Sequence, residues 1–190
     1  MSELANVFGA AQWIQGQLDE INAEFCFIGG IALQRWGEPR FTPDVAFTAP
    51  CPLGDEEKAA TRISGFLAGR IPDAIAFSVR SRVYLGQAPD GTPVDLAFGS
   101  LPFEQDCVRR ASGFEFTKGC RLRTCDLDDF IVLKAFADRD KDRMDLEGVL
   151  KRNRGKIDWA RIERDLKPLL ELKEALEPWE RLLDLKKKNP

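Results

Sequence analysis

Near residue 125 the hydrophobic pattern turns from mixed strand and helix signals to helical spacing alone, and that change limits what the chain can fold into. Before it come short apolar runs cut by glycine and proline: FCFI at 25–28 ending in Gly29-Gly30, DVAFT at 44–48 and PVDLAFG at 93–99. Runs of about four to eight such residues between turn residues read as buried strands. After it, apolar residues recur at helical spacing: Phe130, Ile131, Leu133 and Phe136-Ala137, with Lys134 among them, then Met144, Leu146, Val149 and Leu150. The expected class is α+β: a mixed sheet flanked by helices over 1–124, followed by a C-terminal helical region, 125–190, packed on that core.

Local signals fill in the rest. Leu4, Val7, Phe8, Ala11, Ile14, Leu18 and Ile21 predict a helix over 3–22. IALQRW at 31–36 predicts a short helix, and GEPRFTP at 37–43 a loop. Residues 54–69 read as a helix with Ala59, Ile63, Phe66 and Leu67 inward. AIAFSV at 74–79 and SRVYLGQ at 81–87 read as strands, and PDGT at 89–92 as the turn into the return strand 93–99. FEF at 114–116 and RLR at 121–123 are strand candidates split by Lys118-Gly119. Asp126 stands where a helix N-cap would, with Asp129 in the first turn. Asp158 caps a further helix, 169–186 gives the last, and KKKNP is expected to fray.

Composition then restricts the chemistry. The 190 residues include no histidine. That excludes Ser-His-Asp and Cys-His nucleophile systems and imidazole acid–base catalysis. Carboxylates, lysine, hydroxyls, thiols or a bound cation must do any chemistry. The five cysteines (Cys26, Cys51, Cys107, Cys120, Cys125) form no CxxC pair, which fits a reducing compartment better than a disulfide framework. No apolar run nears the roughly 20 residues of a membrane span. The start, MSELANVFGAAQWIQGQLDE, lacks the basic opening of a secretory signal, so a cytoplasmic protein is expected. Residues 1–150 hold 16 basic and 23 acidic side chains, and residues 151–190 hold 12 and 8. The basic tail reads either as a solvated helix face of mixed charge or as a contact for RNA.

Residues 25–48, FCFIGGIALQRWGEPRFTPDVAFT, combine a strand, two glycines, a short helix, a loop and a second strand with Asp44 at its start. Glycines at a strand end let backbone N–H groups approach a phosphate, and the following helix N-terminus favours an anion. Positions 44 and 46 share a strand face, about 6.5–7 Å apart. Two acids there could hold a hard cation, with Asp95 adding a carboxylate from a neighbouring strand. A carboxylate between Val94 and Leu96 also wants a partner.

These residues resemble the nucleotidyltransferase superfamily with the polymerase-beta-like fold, whose signature is a glycine-rich turn, an Asp-x-Asp pair and a third acid on another strand. KAFADRDKDRMDL at 134–146 further resembles the Lys and R-D-x-x-D-L run of AbiEii-type toxin nucleotidyltransferases. The resemblance implies a nucleotidyltransferase-like sheet. It also implies transfer of a nucleoside monophosphate from an NTP to a hydroxyl of a protein or RNA, with Mg²⁺ or Mn²⁺ as cofactor. While the lack of a long apolar run predicts no membrane association, an antitoxin partner would follow from the same likeness. By it, Gly29 and Gly30 would cradle the triphosphate, with Arg40 and Thr42 in reach of phosphate. Asp44 and Asp95 would bind the metal, Lys134 would contact phosphate, and Asp142 and Asp145 would order their helix or act on the acceptor.

Two positions depart from the family. Gly-Gly replaces the usual Gly-Ser, and Ala46 stands where the second acid belongs. A methyl group coordinates no cation, so activity is expected to be impaired. Three accounts fit: a deliberate replacement, a nucleotide-binding pseudoenzyme or antitoxin-like interaction protein, or compensation by another carboxylate.

Overall fold

The computed structural model describes residues 3–189, with side chains described from Val7 onward; Leu4 and Pro190 fall outside the described side chains. It has the expected α+β class. The chain divides into two compact units. One comprises the stretches up to Ile31 and from Arg40 to Cys125, the other Ala32–Pro39 and the chain from Asp126 onward.

The first unit is built on a mixed sheet. Its strands are β1 (Cys26–Phe27), β2 (Val45–Pro50), β3 (Ala68–Gly69), β4 (Val83–Gln87), β5 (Pro93–Gly99), β6 (Ser112–Thr117) and β7 (Cys120–Thr124). The order across the sheet is β3-β4-β5-β2-β1-β7-β6. β2 runs parallel to β5, with Val45 opposite Val94, Ala46 opposite Asp95 and Phe47 opposite Leu96. Because side chains alternate along a strand, Val45, Phe47, Val94, Leu96 and Phe98 enter the core on one face. Ala46 and Asp95 are half-buried on the other. Helix α1 (Glu3–Glu20) adds Ile14 and Leu18 to this core, both fully buried. The Gln15 side chain accepts from Arg123 N–H at 2.9 Å and donates to Arg121 O at 3.0 Å, satisfying part of the β7 backbone.

Several expected elements are found close to their expected bounds: the β4–β5 hairpin through PDGT, β6 and β7 around Lys118-Gly119, and β2. Others differ. The run 74–79, expected as a strand, is helix α4 (Ala74–Ser81). A six-residue apolar run does not separate strand from helix by itself. Here Ala74 and Ser78, one helical turn apart, are the buried pair, and Arg82 ends the helix at φ +57°. The helix expected over 54–69 is α3 (Glu56–Ser64). Leu67 reaches the core from the turn after it, and Ala68–Gly69 pair with β4 instead. Helix α5 (Pro102–Arg110) was not anticipated. Its signals are Pro102 in the first turn and Glu104, whose carboxylate accepts from the N–H groups of Ser100 (2.8 Å) and Leu101 (2.9 Å).

The short helix expected at 31–36 is α2 (Gly29–Trp36), so the two glycines form its first turn. The second unit adds α6 (Leu127–Ala137), α7 (Asp140–Arg152), α8 (Trp159–Leu172) and α9 (Glu177–Lys188). Asp126 caps α6 by accepting from Asp129 N–H at 2.9 Å, and Asp158 caps α8 by accepting from Arg161 N–H at 3.0 Å. Phe130, Ile131, Leu146, Val149, Ile162, Leu166 and Leu182 are buried. Met144, expected inward, is exposed. The single helix expected over 169–186 is broken: α8 stops at Leu172, Glu174 takes φ +53°, and α9 begins at Glu177. Lys186–Lys188, expected to fray, complete α9. Many tail cations pair within one turn, as Lys167 does with Glu163 and Lys187 with Asp184. No described helix is long and apolar enough to cross a membrane.

Candidate active site

The glycine turn, the acidic strand and β5 meet within the first unit. Ile28 N–H donates to Ala46 O at 2.9 Å, which fixes the end of β1 beside position 46. Gly29 then turns with φ +56°, a conformation that L side chains rarely adopt. A Cβ built on it would stand 3.1 Å from the Ala46 Cβ. A Cβ on Gly30 would lie 2.2 Å from Thr42 Oγ1 and 2.6 Å from Thr42 Cβ. The expected glycine motif is therefore also a packing requirement. Gly30→Ala is expected to destabilise the protein by about 1–3 kcal/mol, the usual cost of overpacking. A denaturant titration of this variant checks it; unchanged stability would mean that Thr42 gives way freely.

Thr42 is buried, and its hydroxyl donates to Asp44 Oδ1 at 2.9 Å. It positions the carboxylate from behind the glycine turn. Arg40 is exposed, with Nη1 donating to Phe41 O at 3.2 Å. Asp95, opposite Ala46, faces a cation missed in the sequence: Arg70 Nη2 lies 2.6 Å from Asp95 Oδ1, off the angle of a hydrogen bond. Arg70 follows β3, where its N–H donates to Leu85 O at 3.0 Å. Its Nη1 donates to Val94 O at 2.9 Å and Gly86 O at 3.3 Å. The sequence signalled that Asp95 needed a partner; which residue supplied it depended on the pairing of β3 with β4.

This donor set does not fit a divalent ion. Position 46 offers a methyl group, Asp44 already accepts from Thr42, and Asp95 faces a guanidinium. Hard cations take six or more oxygen ligands and favour carboxylates in concert. No group of three cysteine or acidic side chains among the described residues could hold a metal.

The remaining three candidates lie in the second unit and meet each other. Lys134 Nζ, on α6, donates to Asp142 Oδ1 at 2.8 Å and Asp145 Oδ2 at 2.7 Å, both on α7. Arg139 Nε adds a bond to Asp142 Oδ2 at 2.5 Å. The lysine side chain is 7% exposed and the two carboxylates 0% and 5%. Burial pushes the Asp142 carboxyl up, but hydrogen bonds and charge from Arg139 and Lys134 outweigh it and leave it below the ordinary carboxylate range. A depressed folded-state value means that this stabilisation is complete above the unfolded carboxylate range, about pH 4, and is lost as pH falls through the folded value. The gap in melting temperature between wild type and Asp142→Asn is therefore expected to narrow from pH 7 to pH 3. A constant gap would contradict the linkage.

No family model and no curated protein matches this sequence. Among solved structures, an antigenic nucleotidyltransferase-like protein from Paracoccidioides brasiliensis is similar over 97% of this chain and 88% of its own length, at 15% identity and TM-score 0.49. The antibiotic-resistance factor ANT(2'')-Ia is similar over 97% and 92%, at 13% identity and TM-score 0.48. At these values neither likeness bears on activity, and the functional reading rests on the residues of the site.

Proposed function

We propose that the chain is a nucleotide-binding protein of the nucleotidyltransferase type, AbiEii-like in its sequence motifs. In it, transfer of a nucleoside monophosphate to a hydroxyl of a protein or RNA is disabled at Ala46. One observation carries this reading. Ala46 sits in register with Asp95 and against Gly29, at the junction of the glycine turn and both acidic strands. On this reading the position of the second acid holds a methyl group. The first N–H groups of α2 have no intrahelical acceptor, the feature by which helix N-termini suit phosphate. When bound in such a site, a divalent ion would neutralise phosphate charge and promote attack by the hydroxyl; the residues present do not suit it. If the chain belongs to a toxin pair, this reading makes it the silent form of the toxin.

Calorimetry with ATP, GTP, CTP and UTP tests the reading. At least one is expected to bind without being consumed over hours. Absence of binding by all four would leave an interaction protein without nucleotide function.

A further inference from the structure

We propose that Arg70 supplies the positive charge that holds a phosphate chain at this face, in place of the divalent ion that the donor set does not suit. The inference rests on the nucleotide-binding reading above and names how that ligand is held. A guanidinium offers five N–H groups in a rigid fork. Nη1 donates to the carbonyls of Val94 and Gly86, and Nη2 lies against Asp95 Oδ1. Nε–H and the second Nη2 hydrogen have no protein partner among the described residues, and the side chain is 27% exposed. Two adjacent open donors match the oxygens of a phosphate in the bidentate manner that distinguishes arginine from lysine.

The fork is also fixed in a useful place. It reaches across β4 to β5, where Asp95 stands beside Ala46 and Ala46 beside Gly29. Cation, missing acid and glycine turn therefore lie along neighbouring strands in sequence. Asp95 holds Arg70, and Arg70 neutralises Asp95. Alanine at 46 removes a negative charge from the same line. With Asp44 still present, these two features leave less negative charge along this line than the family's three acids, which lowers the opposition to an anion.

The test titrates wild type, Arg70→Gln and Arg70→Lys with the four NTPs and with inorganic triphosphate, in EDTA, alongside melting curves. Wild type is expected to bind in EDTA, Arg70→Gln roughly tenfold more weakly or worse, and Arg70→Lys, which keeps charge but loses the fork, roughly threefold more weakly. Wild-type affinity in both variants overturns the role of Arg70 and leaves the nucleotide reading standing. If Arg70→Gln does not fold, wild-type affinity in Arg70→Lys alone overturns it. Binding that appears only when Mg²⁺ replaces EDTA overturns it as well. Arg70-dependent binding of inorganic triphosphate but of no NTP upholds the role and overturns the nucleotide reading; binding of neither overturns both.

Discussion

Ala46→Asp is expected to raise Mg²⁺ affinity by roughly 100-fold, on the scale at which ligand-supporting groups change metal affinity. The new carboxylate would stand in register with Asp95 and two residues after Asp44, which immediately precedes β2. Its neighbour across the turn is Gly29, where a Cβ would stand 3.1 Å from the Ala46 Cβ, so no side chain of residue 29 competes with it. The variant also adds a negative charge beside the Arg70–Asp95 pair, so triphosphate binding in EDTA should weaken as Mg²⁺ binding strengthens. Mg²⁺ titration followed by calorimetry reads both. An unchanged Mg²⁺ affinity in a folded variant would show that the missing carboxylate is not what separates this site from a metal centre.

The second large effect concerns stability. Lys134→Met is expected to cost about 3–5 kcal/mol, because it takes a buried cation from two buried carboxylates. Asp142 keeps Arg139, whereas Asp145 loses the bond to Nζ. Replacing lysine and Asp145 together by apolar residues of similar volume should recover much of the loss, since the penalty lies in taking the ammonium from a buried carboxylate. Chemical denaturation of the single and double variants measures this. Preserved stability in Lys134→Met together with weakened NTP binding would instead assign the lysine to phosphate, as the family resemblance implies.

What the sequence made legible follows from the range of each signal. The Asp126 and Asp158 caps, the PDGT hairpin and the strand around Asp95 depend on residues within a few positions of one another, and the local pattern sufficed. The Gly29-Gly30 turn was readable for the same reason, although its crowding by Thr42 was not, since Thr42 returns through a loop. Helix α4 was hidden because a six-residue apolar run suits either state, and burial of Ala74 and Ser78 decides it. Arg70 was invisible because only the pairing of β3 with β4 brings it to Asp95, 25 residues further on. Lys134 reads as an isolated charge in an apolar helix. Its partners come from α7, after the chain turns at Asp138 with φ +51°.

On the proposed reading the chain binds nucleotide, and transfer is blocked first at position 46. The most direct measurement follows label from α-phosphate-labelled NTP into protein and RNA acceptors, for wild type and Ala46→Asp side by side in Mg²⁺. The account predicts no transfer above background by wild type and measurable transfer by the variant. Equal transfer by both would contradict it.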